Sequence, residues 1–228
     1  MTETNEASAK RRLRITFAKE QPLKYIAHLD LVLAWERALR RAGIPLAYSQ
    51  GYNPRPKIQV ASGLPLGATG SAEIMDIIVS KPIAPAEALA QIKAALPVGL
   101  AIHTVEEIPL NAPTLQHLLR QADYQVVVET ELSAAELTGR IEALLAADTV
   151  IQTRQRKKQP EEIDLRPWLH ELRLEAVADG QARLHMRLTA GQFGHLRPEE
   201  ILKALGLAGN WAEIERTSLI FADDPRLS

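Results

Sequence analysis

From residue 12 to residue 19 apolar and polar positions alternate, with Leu13, Ile15 and Phe17 on one side and Arg14 and Thr16 on the other. A period of two is the mark of a half-buried strand. The period then lengthens. Leu31, Val32, Trp35, Ala38, Leu39 and Ala42 recur at helical spacing, while Arg37, Arg40 and Arg41 lie off that stripe, so a helix is predicted over 25–42. Gly43 and Pro45 end it, and Arg40 and Arg41 suit the negative end of its dipole. Short strands are expected at 57–61 and 73–79. A helix over 86–96 is announced by Pro85 and closed by Pro97 and Gly99, and a strand follows at 100–108.

A similar order restarts beyond Pro109 and Pro113. Residues 124–130 carry Val126, Val127 and Val128 and read as a strand. Ser133 and Glu136 have capping-box spacing ahead of a helix to about residue 147. Strands are expected at 150–157, 169–176 and 183–189, the last two joined by an Asp179-Gly180 turn. A short helix at 197–205 and a closing strand at 213–221 complete the chain. Strand–helix–strand–strand–helix–strand, occurring twice, predicts an α+β fold of two tandem ferredoxin-like (βαββαβ) units with antiparallel sheets. The units are expected at 11–115 and 120–222, with a disordered tail at 1–10 and a short tail at 223–228.

Composition narrows the chemistry. The 228 residues include no Cys, which excludes disulfides, thiolate metal sites and Cys nucleophiles in this chain. Aromatic residues make up 4%, so the core must be aliphatic. No apolar run reaches membrane-spanning length, and the polar N-terminus lacks a secretory core, so a cytoplasmic location without membrane contact is expected. The net charge is −1, but residues 10–57 hold eleven Lys/Arg against three Asp/Glu, a local +8 that leaves −9 for the rest. Such a segment suits phosphates or an acidic protein face; the plainer account is that it meets the molecule's own acids.

The most informative stretch is 48–67, where three Gly and three Pro surround Tyr48, Tyr52, Asn53, Arg55 and Lys57. Pro54 and Pro56 fix their own φ angles and hold their preceding residues extended, which stiffens the backbone at Arg55. His28 and Asp30 open the first helix. Two positions apart on a helix they do not share a face, so they make no catalytic dyad alone, and Asp30 also suits a plain capping role. Gly63-Leu-Pro-Leu-Gly67 lacks the ending of a phosphate loop and reads as a turn between strands. Arg154-Gln-Arg-Lys-Lys158 is a second basic run, suited either to phosphates or to a solvated hairpin tip. The six His show no metal-ligand spacing. The predicted strands offer Phe17 and few other aromatics, so base stacking on the sheet has little support, and Tyr48 and Tyr52 in the loop are better stacking candidates.

Three segments carry a family resemblance. Lys24-Tyr-Ile-Ala-His-Leu-Asp30, Glu36 through Lys57, and Leu64-Pro-Leu-Gly67 with Glu73 and Asp76 resemble the radical-SAM-linked family of unknown function. Arg156-Lys-Lys with Ile163-Asp-Leu-Arg-Pro167 is similar to its second signature. The resemblance implies an accessory module standing beside, or fused to, a radical SAM protein. That partner would carry the iron–sulfur cluster and S-adenosylmethionine, and in many members cobalamin, while this chain itself holds no cofactor and no metal. The leading expectation is a non-catalytic module that binds or positions RNA or ribonucleoprotein for that partner. The alternatives are a protein-interaction module docking on the radical SAM protein, and a metal-free RNA-processing enzyme using His28, Tyr48 and Lys57. The expected binding residues are His28, Asp30, Arg37, Arg40, Arg41, Tyr48, Ser49, Gln50, Tyr52, Asn53, Arg55 and Lys57, with Arg154, Arg156, Lys157, Lys158, Asp164 and Arg166 of the second run.

Overall fold

The N-terminal alternation becomes β1 (Arg11–Lys19), with Leu13, Ile15 and Phe17 wholly buried. Phe17 meets Trp35 edge-on, with ring centroids 4.9 Å apart. The strand aromatic weighed for base stacking is therefore part of the core. The computed structural model describes residues 10–156 and 159–223, and the chain divides into two compact units, Met1–Leu118 and Leu119–Ser228. Both are mixed α+β with antiparallel strands.

In the first unit β1 runs between β3 (Ala68–Val79) and β4 (Leu100–Ile108), and β2 (Ile58–Val60) pairs the other side of β3. The order is β4-β1-β3-β2. The helix α1 (His28–Arg41) links β1 to β2, and α2 (Pro85–Ala95) links β3 to β4. Leu31, Trp35 and Leu39 of α1 and Ile92 of α2 join Met75, Ile77 and Val79 in one core. The first helix starts three residues later than its periodicity suggested. Residues 21–27 are used in a 3-10 turn (Gln21–Leu23) and an extended Ala27, because the Lys24 carbonyl accepts from Lys19 Nζ and from Gly67 N. β3 starts five residues before the expected 73. Gly70 therefore lies within a strand, where a Cβ would come within 2.5 Å of the Glu73 carboxylate.

The opposite face of β1 and β3 is charged. Asp76 is 2% exposed and accepts from Arg12 Nε (3.0 Å) and NH2 (2.6 Å), and from Arg14 Nε (2.9 Å) and NH2 (3.1 Å). Arg12 also donates to the carbonyls of Ala112 and Pro113, which anchors the turn after β4. A short helix α3 (Leu115–Leu118) closes the unit.

The second unit has strand order β10-β5-β9-β8, from β5 (Leu119–Glu129), β8 (Leu169–Ala178), β9 (Gln181–Thr189) and β10 (Ala212–Phe221). Its core gathers Tyr124, Val126, Val128, Leu184 and Met186 with Leu137 of α4 (Ala134–Ala146) and Ile201 of α5 (Pro198–Ala204). The Ser133–Glu136 capping box forms, and its hydrogen bonds hold the Glu136 carboxyl below the usual range. Asp179 and Gly180 make the β8–β9 turn with φ of 52° and 74°. One expectation needs correction. The strand predicted at 150–157 does not join the sheet: β6 (Ile151–Arg156) pairs with β7 (Gln159–Asp164) in a separate two-stranded ribbon inserted between α4 and β8. Alternation alone marks a strand but does not say which neighbour it pairs with.

Removing the buried carboxylate leaves two guanidinium groups short of their counter-charge. Asp76→Ala is expected to lower unfolding free energy by about 3–5 kcal/mol in chemical denaturation. A loss under ~1 kcal/mol is what an exposed pair would give, and would contradict the structural role assigned here.

Candidate nucleic-acid interface

Ile78 of β3 uses both of its backbone groups on the excursion that follows α1. Its carbonyl accepts from Ala47 N (2.8 Å) and its N–H donates to the Lys57 carbonyl (3.0 Å). Lys57 N closes the base by donating to the Ala47 carbonyl at 2.9 Å. Above it, Tyr48 and Pro56 form a bridge, Ser49 N donates to the Arg55 carbonyl (2.8 Å), and Arg55 N donates to Ser49 Oγ (3.0 Å). The predicted stiff segment is therefore a pinned ribbon with an exposed tip. Gly51 takes φ of 125° at that tip, a conformation open to glycine at little cost.

The tip presents Gln50, Tyr52, Asn53 and Arg55 to solvent, and Tyr52 is 100% exposed. Tyr48 leans back on α1. Its hydroxyl accepts from Arg40 Nε at 3.2 Å, and the Arg40 guanidinium stands 5.8 Å from its ring centroid while also pairing with Glu36. Arg41 donates to the Ala95 carbonyl at the end of α2. Among the described residues, the side chains of Arg37, Arg55 and Lys57 have no hydrogen-bond or ion-pair partner, and all three are exposed.

The rest of the basic segment is largely matched inside the first unit. Arg12 and Arg14 bind Asp76, Arg11 pairs with Glu107, and Lys19 buries its ammonium against the carbonyls of Lys24 and Ala68. The plainer account of the local +8 thus holds for Arg11, Arg12 and Arg14, while Arg37, Arg55 and Lys57 are exposed without a partner among the described residues.

His28 and Asp30 occupy the other end of α1. The N-cap is Ala27 with no side-chain cap bond, and Asp30 stands exposed in the first turn, where its charge suits the positive end of the helix dipole. The helix advances about 1.5 Å per residue, which puts His28 about 18 Å along the axis from Arg40, the partner of Tyr48. The His28 ring instead packs near Gly63, where an added Cβ would lie 3.5 Å from its Cγ. Tyr25 (74% exposed), Leu29 (79%) and Leu66 (64%) are large apolar side chains left in solvent in the same unit. Leu29 and Leu33 stand four apart and outside the core stripe, a signal available in the sequence.

In the second unit Arg154 is bound bidentately by Glu200 (2.8 and 2.7 Å) and donates to the His195 carbonyl, with Trp168 alongside. It ties the ribbon to α5. Asp164 Oδ1 accepts from Val150 N and Arg166 N, and Arg166 donates to the Leu169 carbonyl, so both shape the turn at the ribbon's foot. Lys157, Lys158 and the Arg156 side chain lie outside the described residues. Among the described residues no group of His, Asp and Glu is arranged to hold a metal ion, and no helix is long and apolar enough to cross a membrane.

With this geometry in view, a family model described as "Uncharacterized protein conserved in bacteria (DUF2344)" matches residues 12–198. The chain belongs to this bacterial family. No curated protein matches it in sequence. A chain in the crystal structure of a Cbf5–Nop10–Gar1 complex is similar to this DUF2344 member at 12% identity and TM-score 0.50, over 90% of this chain and 48% of that one. A chain in the structure of an H/ACA RNP bound to a substrate RNA containing 2′-deoxyuridine is similar at 12% identity and TM-score 0.47, over 91% and 47%. The DUF2344 chain thus spans about half the length of either structure. At this identity the likeness concerns fold alone.

Two histidines of the second unit give a pH dependence. Burial, then Arg197, Arg216 and Arg154, pushes His195 below the ordinary value of 6.5; burial, then Arg187 and Arg166, does the same for His170. The unfolded chain therefore takes up these protons first as pH falls below about 6.5, so stability declines from there and levels off below the folded values. Asp123 acts in a different window. Burial raises its pKa, but the Arg187 and Ser218 hydrogen bonds and the Arg187 charge outweigh that and hold it below 3.8, so its contribution persists until stronger acid. Urea midpoints at pH 8 and 5.5 are expected to differ in the wild type and to differ less in His195→Gln. Equal pH dependence in the two proteins would refute this assignment.

Proposed function

We propose that this chain is a non-catalytic recognition module whose 48–57 ribbon, with the outer face of α1, binds single-stranded RNA or ribonucleoprotein for a radical SAM partner. One observation carries the reading: a fully exposed Tyr52 and an unpartnered Arg55 stand at a tip whose base is fixed by backbone hydrogen bonds, with unpartnered Lys57 at that base and unpartnered Arg37 on α1. An exposed ring stacks on any base, and neighbouring cations meet the phosphates. A prepositioned ribbon loses less conformational entropy on binding than a slack loop. We also infer two ferredoxin-like units, supported by the same order in each: first strand between third and fourth, second beyond the third. The radical SAM partner, with its cluster, S-adenosylmethionine and cobalamin, is proposed from the sequence resemblance.

A protein-docking reading is favoured by the exposed Tyr25, Leu29 and Leu66 beside His28 and Asp30. The radical SAM protein would sit there while the ribbon engages substrate, so the two readings use opposite ends of α1. The enzyme reading has less support, since its His28 and Tyr48 do not approach one another.

Fluorescence anisotropy on a labelled single-stranded RNA tests the proposal. Three cations at roughly 0.7 per phosphate contact give log affinity against log salt a slope of about −2. Arg55→Glu is expected to flatten that slope and weaken binding, and Tyr52→Ala to cost about 1–3 kcal/mol with the slope unchanged. Affinity indifferent to salt, or to both substitutions, would refute it.

A further inference from the structure

A cleft of about 320 Å3 opens at the foot of the ribbon, walled by Arg12, Lys57, Ile58, Gln59, Asp76 and Ile78. Gln59 sits opposite Asp76 in the β2–β3 register. Its volume is at the lower end of the range for small-ligand sites. Two of its walls are charges removed from water, Arg12 at 5% and Asp76 at 2% exposure.

The charge balance favours an anion. In the lining Arg12 and Lys57 stand against the single Asp76, a net +1, and Arg14 binds the same carboxylate from outside it. Both Asp76 oxygens already accept from the two arginines, so the carboxylate is neutralised in place. A guanidinium has five N–H donors. Arg12 directs four at Asp76, Ala112 and Pro113, and one NH1 proton remains. Among the described residues the Lys57 ammonium and the Gln59 amide are also without partners. Ile78 supplies an apolar wall beside these donors, while Ile58 packs against the core on the other face.

We propose that this cleft is a nucleotide subsite. Lys57 and the remaining Arg12 donor take the phosphate, Gln59 hydrogen-bonds the sugar or base, and Ile78 covers the apolar body. Lys57 belongs both to the ribbon and to the cleft, so a strand crossing the tip would lead one nucleotide down into it. That source rests on the RNA reading of the ribbon; a free nucleotide has the same chemistry and would reach the same groups.

The test is an amide NMR titration of the full chain with adenosine 5′-monophosphate, and separately with adenosine and with inorganic phosphate. The nucleotide is expected to shift amides at 57–59 and 76–78. Lys57→Ala should weaken it about tenfold, the size of one charge-assisted hydrogen bond. Gln59→Ala should weaken it less, and adenosine should bind about tenfold less well. Absent shifts at those amides, indifference to Lys57→Ala, or inorganic phosphate binding as tightly as the nucleotide would each overturn the subsite. Nucleotide binding without any RNA binding would leave the subsite standing with a free nucleotide as its source, and the ribbon reading would fall. RNA binding sensitive to Arg55→Glu with a silent cleft would do the reverse.

Discussion

A single residue of β3 holds the feature on which the account depends. Ile78 points both its N–H and its carbonyl at the excursion after α1, and each limb of that excursion takes one of them. A backbone clasp of this kind does not depend on side-chain identity, and it cannot be loosened without exposing buried polar groups. The tip can then hold polar and aromatic residues in water because its base is already fixed. β3 is itself held on the far side by Arg12, Arg14 and Asp76, so the charged face of β1 and β3 is the foundation of the clasp.

This organisation divides the positive charge into two kinds. Cations on the strands are structural: they meet Asp76, Glu107 or backbone carbonyls, and their burial is compensated within the unit. On the ribbon and α1, Arg37, Arg55 and Lys57 have no partner among the described residues. A count of charge along the sequence adds the two kinds together. A cation paired with a carboxylate adds little to long-range attraction, whereas an unpaired one adds its full charge.

Much of the fold was legible because burial imposes periodicity. Alternation at Leu13, Ile15 and Phe17 and the helical stripe through Leu31, Trp35 and Leu39 located β1 and α1. Ser133 and Glu136 located the start of α4 through local chemistry. What escaped was non-local. No pattern within 150–164 distinguishes a ribbon paired with itself from a strand of the main sheet, and strand pairing had to be seen. The start of α1 was misjudged because the bonds that take the Lys24 carbonyl out of the helix come from Lys19 and Gly67, which no local pattern reveals. At the candidate site, the stiffness near Arg55 could be read from Pro54 and Pro56. The separation of His28 from Tyr48 could not, because it depends on which end of α1 each one neighbours. The cleft at Gln59 and Asp76 was equally hidden, being made by strands far apart in sequence.

The central claim is that the pinned ribbon is the surface that touches RNA. Photocrosslinking a single-stranded RNA containing 4-thiouridine to the full chain, followed by mass spectrometry of the attached peptides, tests it most directly. The account predicts attachment within residues 48–57, centred on Tyr52. Attachment confined to the second unit, or to the His28 end of α1, would contradict it.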